Sequence, residues 1–66
     1  MRHRMPDVII HMREGRSLDQ KRNLVKSVTD AVVSSLGVSP DAVEIVIVEA
    51  PMDNFARAGV LLSEKR

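Results

Sequence analysis

Few side chains in this sequence are grouped in a way that could do chemistry, and arginines stand out among them. Arg13, Glu14 and Arg16 cluster around Gly15, ahead of Ser17, and Arg57 follows the single phenylalanine, Phe55. Arginine outside any motif is most often a solvated loop residue, and a lone phenylalanine is most often packing at an interface. The two histidines, His3 and His11, are too few and too far apart to build a metal site. His11 alternates within an apolar run and reads as a packed or hydrogen-bonded side chain, and His3 as a tail residue. With no cysteine, disulfides and thiolate zinc sites are excluded, and the redox compartment leaves no signature.

The elements that would position these residues follow from patterning. Val8-Ile-Ile-His-Met12, rich in β-branched residues and bounded by Pro6-Asp7 and Arg13-Glu14-Gly15, predicts a strand. Ser17-Leu-Asp-Gln20 has the form of a capping box, with Asp19 in the first turn where the helix dipole favours an anion. Leu24, Val25, Val28, Ala31, Val32 and Leu36 then recur at steps of three and four. Lys21, Arg22, Lys26, Thr29 and Asp30 fall mainly between them. The spacing predicts an amphipathic helix of about five turns, capped by Gly37 and stopped before Pro40.

Val43–Glu49 predicts a second strand with both faces apolar: Ile45 and Ile47 on one side, Val46 and Val48 on the other. That pattern suits a parallel strand buried on both sides, and one intervening helix makes a βαβ unit the natural topology. One helix covers one face of a two-stranded sheet. The other face and both edges therefore need further chains, and an obligate oligomer is expected. Beyond Pro51 the periodicity fades. Met52–Phe55 reads as a turn, Ala56–Gly59 as a short hairpin or loop, and Val60–Leu62 as an apolar patch that docks on a neighbouring subunit. Ser63–Arg66 reads as a polar tail, and Met12 and Met52 as gap-filling or interface residues.

Size and charge narrow the classes further. Sixty-six residues allow a single domain, 1–66, near the size where a solitary core is marginal. Ten Lys/Arg against nine Asp/Glu give a net charge of +1, so no basic field points to nucleic acid. Nor are there aromatics on which bases could stack. A small strand–helix DNA-binding dimer is a poor fit, with no second helix and a second buried strand in its place. No apolar run approaches the ~20 residues that span a bilayer. The basic segment Met1–Met5 is not followed by an apolar stretch of the signal-peptide kind. A cytoplasmic protein with no membrane partner is expected.

Pro6-Asp-Val-Ile-Ile-His-Met-Arg-Glu-Gly-Arg-Ser17, followed by a capped helix, a second strand ending in Val48-Glu49, and Phe55, resembles the 4-oxalocrotonate tautomerase family. The likeness runs from Pro6 to about Gly59. It implies an α/β subunit: one βαβ unit with a C-terminal hairpin, its two-stranded parallel sheet completed by oligomerisation. Such subunits pair into dimers and usually assemble as a hexamer. It also implies isomerisation of a small unsaturated 2-hydroxy or 2-oxo carboxylate, with no metal or organic cofactor. The family's catalytic group is an N-terminal proline, whose partly desolvated secondary amine is a general base near neutral pH. By position in the motif, Pro6 is that proline and Arg16 the arginine that grips a substrate carboxylate. Phe55 corresponds to an aromatic pocket wall. The three could share a pocket only if subunits assemble as in the family.

Three departures bear on this expectation. Pro6 follows Met1–Met5, so its nitrogen is an amide, whose lone pair is committed to resonance. Either translation in the cell begins at Met5 and Pro6 becomes terminal, or the extension 1–5 is genuine and the proline chemistry is absent. Glu44 stands where the family has a second arginine. It is a solvated strand residue, an acid/base group acting on water, or the partner of Arg13 or Arg57 across subunits, and those arginines could also replace the missing charge. Finally, Ala56 and Ala58 occupy a stretch where the family is richer in glycine, so a positive φ at either would strain the turn. The alternative function is a non-catalytic oligomer of the same fold, or one chain type of a mixed hexamer.

Overall fold

β-Branched residues at alternate positions give the first strand, β1 (Asp7–Arg13). The computed structural model describes residues 6–64, so the 1–5 extension with His3, and the last two residues of the expected tail, lie outside the described residues. The helix, α1 (Leu18–Leu36), starts at the expected capping box. Gln20 N–H donates to Ser17 Oγ at 3.1 Å, and Ser17 N–H donates to Gln20 Oε1 at 2.9 Å. It ends at Gly37, left-handed at φ 71°, whose N–H donates to the Val33 carbonyl. A 3-10 turn at Pro40–Ala42, which the sequence suggests only as a helix stop, leads into β2 (Glu44–Ala50).

β1 and β2 pair in parallel, from Asp7 opposite Glu44 to Arg13 opposite Ala50. Alternation divides the sheet into two faces. Val8, Ile10, Met12, Ile45 and Ile47 are half-buried on the face shared with Leu24, Val25, Val28 and Val32 of α1. On that same side Lys21 Nζ donates to Glu49 Oε1 at 2.7 Å, an ion pair about three-quarters withdrawn from water that ties the first turns of α1 to the end of β2. The other pairs on α1, Arg22–Asp19 and Lys26–Asp30, are well exposed and worth a few tenths of a kcal/mol at most.

The opposite face of the sheet is open. Ile9 is 60% exposed and Val46 51% exposed, and among the described residues none is fully buried. The double-sided apolar pattern of the second strand thus emerges as one covered face and one bare one.

After a 3-10 turn at Met52–Asn54, β3 (Ala56–Arg57) and β4 (Val60–Leu61) form a minimal antiparallel hairpin. Its ladder is continued by the Leu62 N–H, which donates to the Phe55 carbonyl at 2.8 Å. Ala58 and Gly59 make the turn with φ values of 56° and 83°, as a type I′ hairpin requires. The strain expected at Ala56 or Ala58 falls on Ala58 alone. Leu62–Glu64 forms a final 3-10 turn, where the apolar patch of the sequence passes into its polar tail.

Candidate functional site

An open cleft of about 640 Å³ lies at the C-terminal end of β1. Its floor is the end of the strand and the loop after it: His11, Met12, Arg13, Glu14, Gly15 and Arg16. Met52, Phe55 and Arg57 close it from the segment after β2. Two local features shape the loop. Glu14 N–H donates to the Ala50 carbonyl at 3.0 Å, which carries the ladder one residue past the strand. Gly15 then turns at φ 122°, a conformation that L side chains rarely adopt, and delivers Arg16 to the residue before the helix cap.

The cleft is cationic on balance, with three arginines against the one carboxylate of Glu14. Three guanidinium groups, from Arg13, Arg16 and Arg57, line it, and among the described residues none of them is in an ion pair. Ser17, the N-cap of the 19-residue α1, follows Arg16 directly, so the helix dipole adds to the same field. The Arg13 guanidinium carbon stands 5.9 Å from the centroid of the half-buried Phe55 ring, a cation–π arrangement that steadies both side chains. Arg16 also borders a smaller adjoining cavity of about 200 Å³ with Met12, Gln20, Lys21 and Leu24. A planar carboxylate is a natural guest for such forked donors.

Pro6 and Glu44 are elsewhere. Glu44 N–H donates to the Pro6 carbonyl at 3.1 Å, which fixes both at the N-terminal end of the sheet. The seven residues of β1 separate them from the cleft by roughly 20 Å at the usual rise per residue. Within one subunit, then, Arg13, Arg16, Phe55 and Arg57 converge, while Pro6 and Glu44 do not join them. His11 is exposed and lines the cleft rather than being packed, because it projects from the bare face of β1. Its position two residues before Arg13 was the available signal. Glu14 and Met52 are further lining residues, and Met52 sits there because the chain turns in a 3-10 arc straight after β2.

Among the described residues, no group of three His, Asp or Glu side chains is disposed to hold a metal ion, and no helix is long and apolar enough to cross a membrane.

Known proteins match this arrangement along nearly its whole length. The tautomerase enzyme model matches residues 6–65. The chain is 45% identical over 60 residues to the 2-hydroxymuconate tautomerase of Bacillus subtilis (strain 168), covering 91% of this chain and 97% of that protein. Among solved structures it is similar to YwhB, a homologue of 4-oxalocrotonate tautomerase, at 43% identity and a TM-score of 0.87, with 92% and 100% of the two chains covered. A heterohexamer 4-oxalocrotonate tautomerase from Chloroflexus aurantiacus J-10-fl superposes as well, with a TM-score of 0.87 at 31% identity over 94% of this chain and 100% of that one. On the match from Pro6 onward and on the fold that carries it, the chain belongs to the tautomerase family of isomerases.

Proposed function

We propose that the protein moves a proton within a small unsaturated 2-hydroxy or 2-oxo carboxylate, in a site shared between subunits of a dimer-based homo-oligomer, a hexamer by likeness to its relatives. The cleft of three arginines beside a helix N-terminus carries this reading. Arg16 holds the substrate carboxylate through its guanidinium fork. Arg13 and Arg57 add positive charge that stabilises the enolate-like transition state, and Phe55 excludes water from one side.

Pro6 is the general base wherever initiation at Met5 or processing leaves its nitrogen as the chain terminus. The free amine takes the proton of the substrate's 2-hydroxyl, the conjugated double bonds shift, and the proton returns at carbon, so that atoms and charge balance with no redox step. The family match, which begins at Pro6 itself, supports this assignment. No metal or organic cofactor is needed for the sequence of steps. Glu44, beside Pro6 at the strand end, is a second candidate acid/base group.

One observation favours a second reading, a non-catalytic oligomer or one chain type of a mixed hexamer: in the 66-residue sequence the Pro6 nitrogen is acylated by Met5. The two readings separate in one assay, ketonisation of 2-hydroxymuconate by the 66-residue chain and by a chain starting at Pro6. The catalytic reading expects the shorter chain to be faster by about 100-fold or more, the usual yield of a positioned base. Equal rates, unchanged by Pro6→Ala, would refute the proline mechanism.

A further inference from the structure

The Lys21–Glu49 ion pair stands beside the candidate anion grip without belonging to it. Lys21 lines the smaller cavity of about 200 Å³ together with Arg16, Met12, Gln20 and Leu24. Its Nζ meets Glu49 Oε1 at 2.7 Å, with the two side chains only 28% and 27% exposed. Register places Glu49 opposite Met12, which borders both cavities. The Ala50 carbonyl next to it accepts from Glu14 N–H at 3.0 Å, so the end of β2 and the loop that carries Arg16 are bound side by side. Arg16 and Lys21 are the two cations lining the smaller cavity, and among the described residues Arg16 is in no ion pair. A carboxylate in this place is a hazard to the site. Left without its lysine, it would compete for the Arg16 guanidinium as a tethered ligand, at the millimolar effective concentration that a short tether gives.

We propose that Lys21 is a positioning residue for the anion grip: by holding the Glu49 carboxylate, it keeps Arg16 free for the substrate. The lysine is well placed for the task. It follows the Ser17 cap by one turn, its own N–H donating to the Ser17 carbonyl at 3.1 Å, so the cap that starts the helix after Arg16 also fixes the lysine. The sign of the effect separates this role from a merely structural ion pair. A pair that only tied α1 to β2 would harm the site alike whichever partner were removed. Here the two removals differ. Without the lysine, the carboxylate turns on Arg16; without the carboxylate, the grip gains a second free cation. This role rests on the Arg16 grip proposed above.

Calorimetric titration of the 66-residue chain with muconate, an unreactive unsaturated dicarboxylate, tests it. Lys21→Met, which keeps the side-chain length and the helix propensity, should weaken muconate binding by about fivefold or more. Glu49→Gln should leave binding unchanged or tighter, and the double variant Lys21→Met/Glu49→Gln should recover the affinity that the lysine variant loses. Lys21→Arg should bind as the unaltered chain does, because it still holds the carboxylate. If Lys21→Met does not fold, Lys21→Gln carries the same comparison. Equal losses in Lys21→Met and Glu49→Gln, or a double variant as weak as the lysine variant, would overturn the positioning role while leaving the Arg16 grip in place. So would a lysine variant that binds normally. Muconate binding that is absent, or unaffected by Arg16→Ala, would overturn the grip itself and this inference with it.

Discussion

The two ends of β1 are chemical opposites. At its start, Pro6, Asp7 and Glu44 gather in an acidic corner. At its finish, Arg13, Arg16, Phe55 and Arg57 line a cleft of about 640 Å³ beside a helix N-terminus. One end has the candidate base and the other the candidate anion grip, roughly 20 Å apart. A general base must come within about 3 Å of the proton it removes. Neither end can therefore work with its own opposite end, and the proposed proton transfer requires a second subunit to bring unlike ends together.

That contrast can be stressed from either side. The largest effect is expected at the proline end, where freeing the Pro6 nitrogen changes an amide into an amine and should raise turnover about 100-fold or more, as read by ketonisation kinetics. At the arginine end, Arg16→Ala removes a charge-assisted contact worth about 1.5–3 kcal/mol. It should lower kcat/KM by roughly 10- to 200-fold, with Arg16→Lys recovering part of the loss because an ammonium keeps the charge but not the fork. Unchanged kcat/KM in Arg16→Ala would move the anion grip to Arg13 or Arg57. The smallest effect is structural. Ala58→Gly relieves a left-handed alanine in the hairpin turn and should stabilise the assembly by about 0.5–1 kcal/mol in denaturant unfolding. A destabilised variant would mean that the hairpin turn is not under strain.

Legibility in the sequence followed how local each signal was. The Ser17 and Gly37 caps and the helix between them depend on contacts within a turn, and were readable to the residue. The parallel pairing was inferable because one helix separates two β-branched runs, though β2 begins one residue later than its pattern suggested. The 3-10 turns at Pro40–Ala42 and Leu62–Glu64 were not foreseen, since proline and a polar tail signal only where regular structure stops. Of the site, Arg16 and Phe55 came into view through a motif rather than through any physical necessity. His11 is exposed in the single subunit, since alternation says which strand residues share a face but not which face the subunit itself covers. The separation of Pro6 and Glu44 from the cleft is a consequence of strand length, which sequence proximity to Arg16 conceals.

The most direct test of a site shared between subunits is complementation. Chains starting at Pro6 would be prepared with Pro6→Ala and, separately, with Arg16→Ala, then unfolded together and refolded as mixed oligomers. If the proline of one subunit serves the arginine cleft of another, the mixture should ketonise 2-hydroxymuconate well above either parent, through hybrid sites that hold both native residues. A mixture no more active than its parents, with mixed oligomers confirmed by native mass spectrometry, would contradict the shared site.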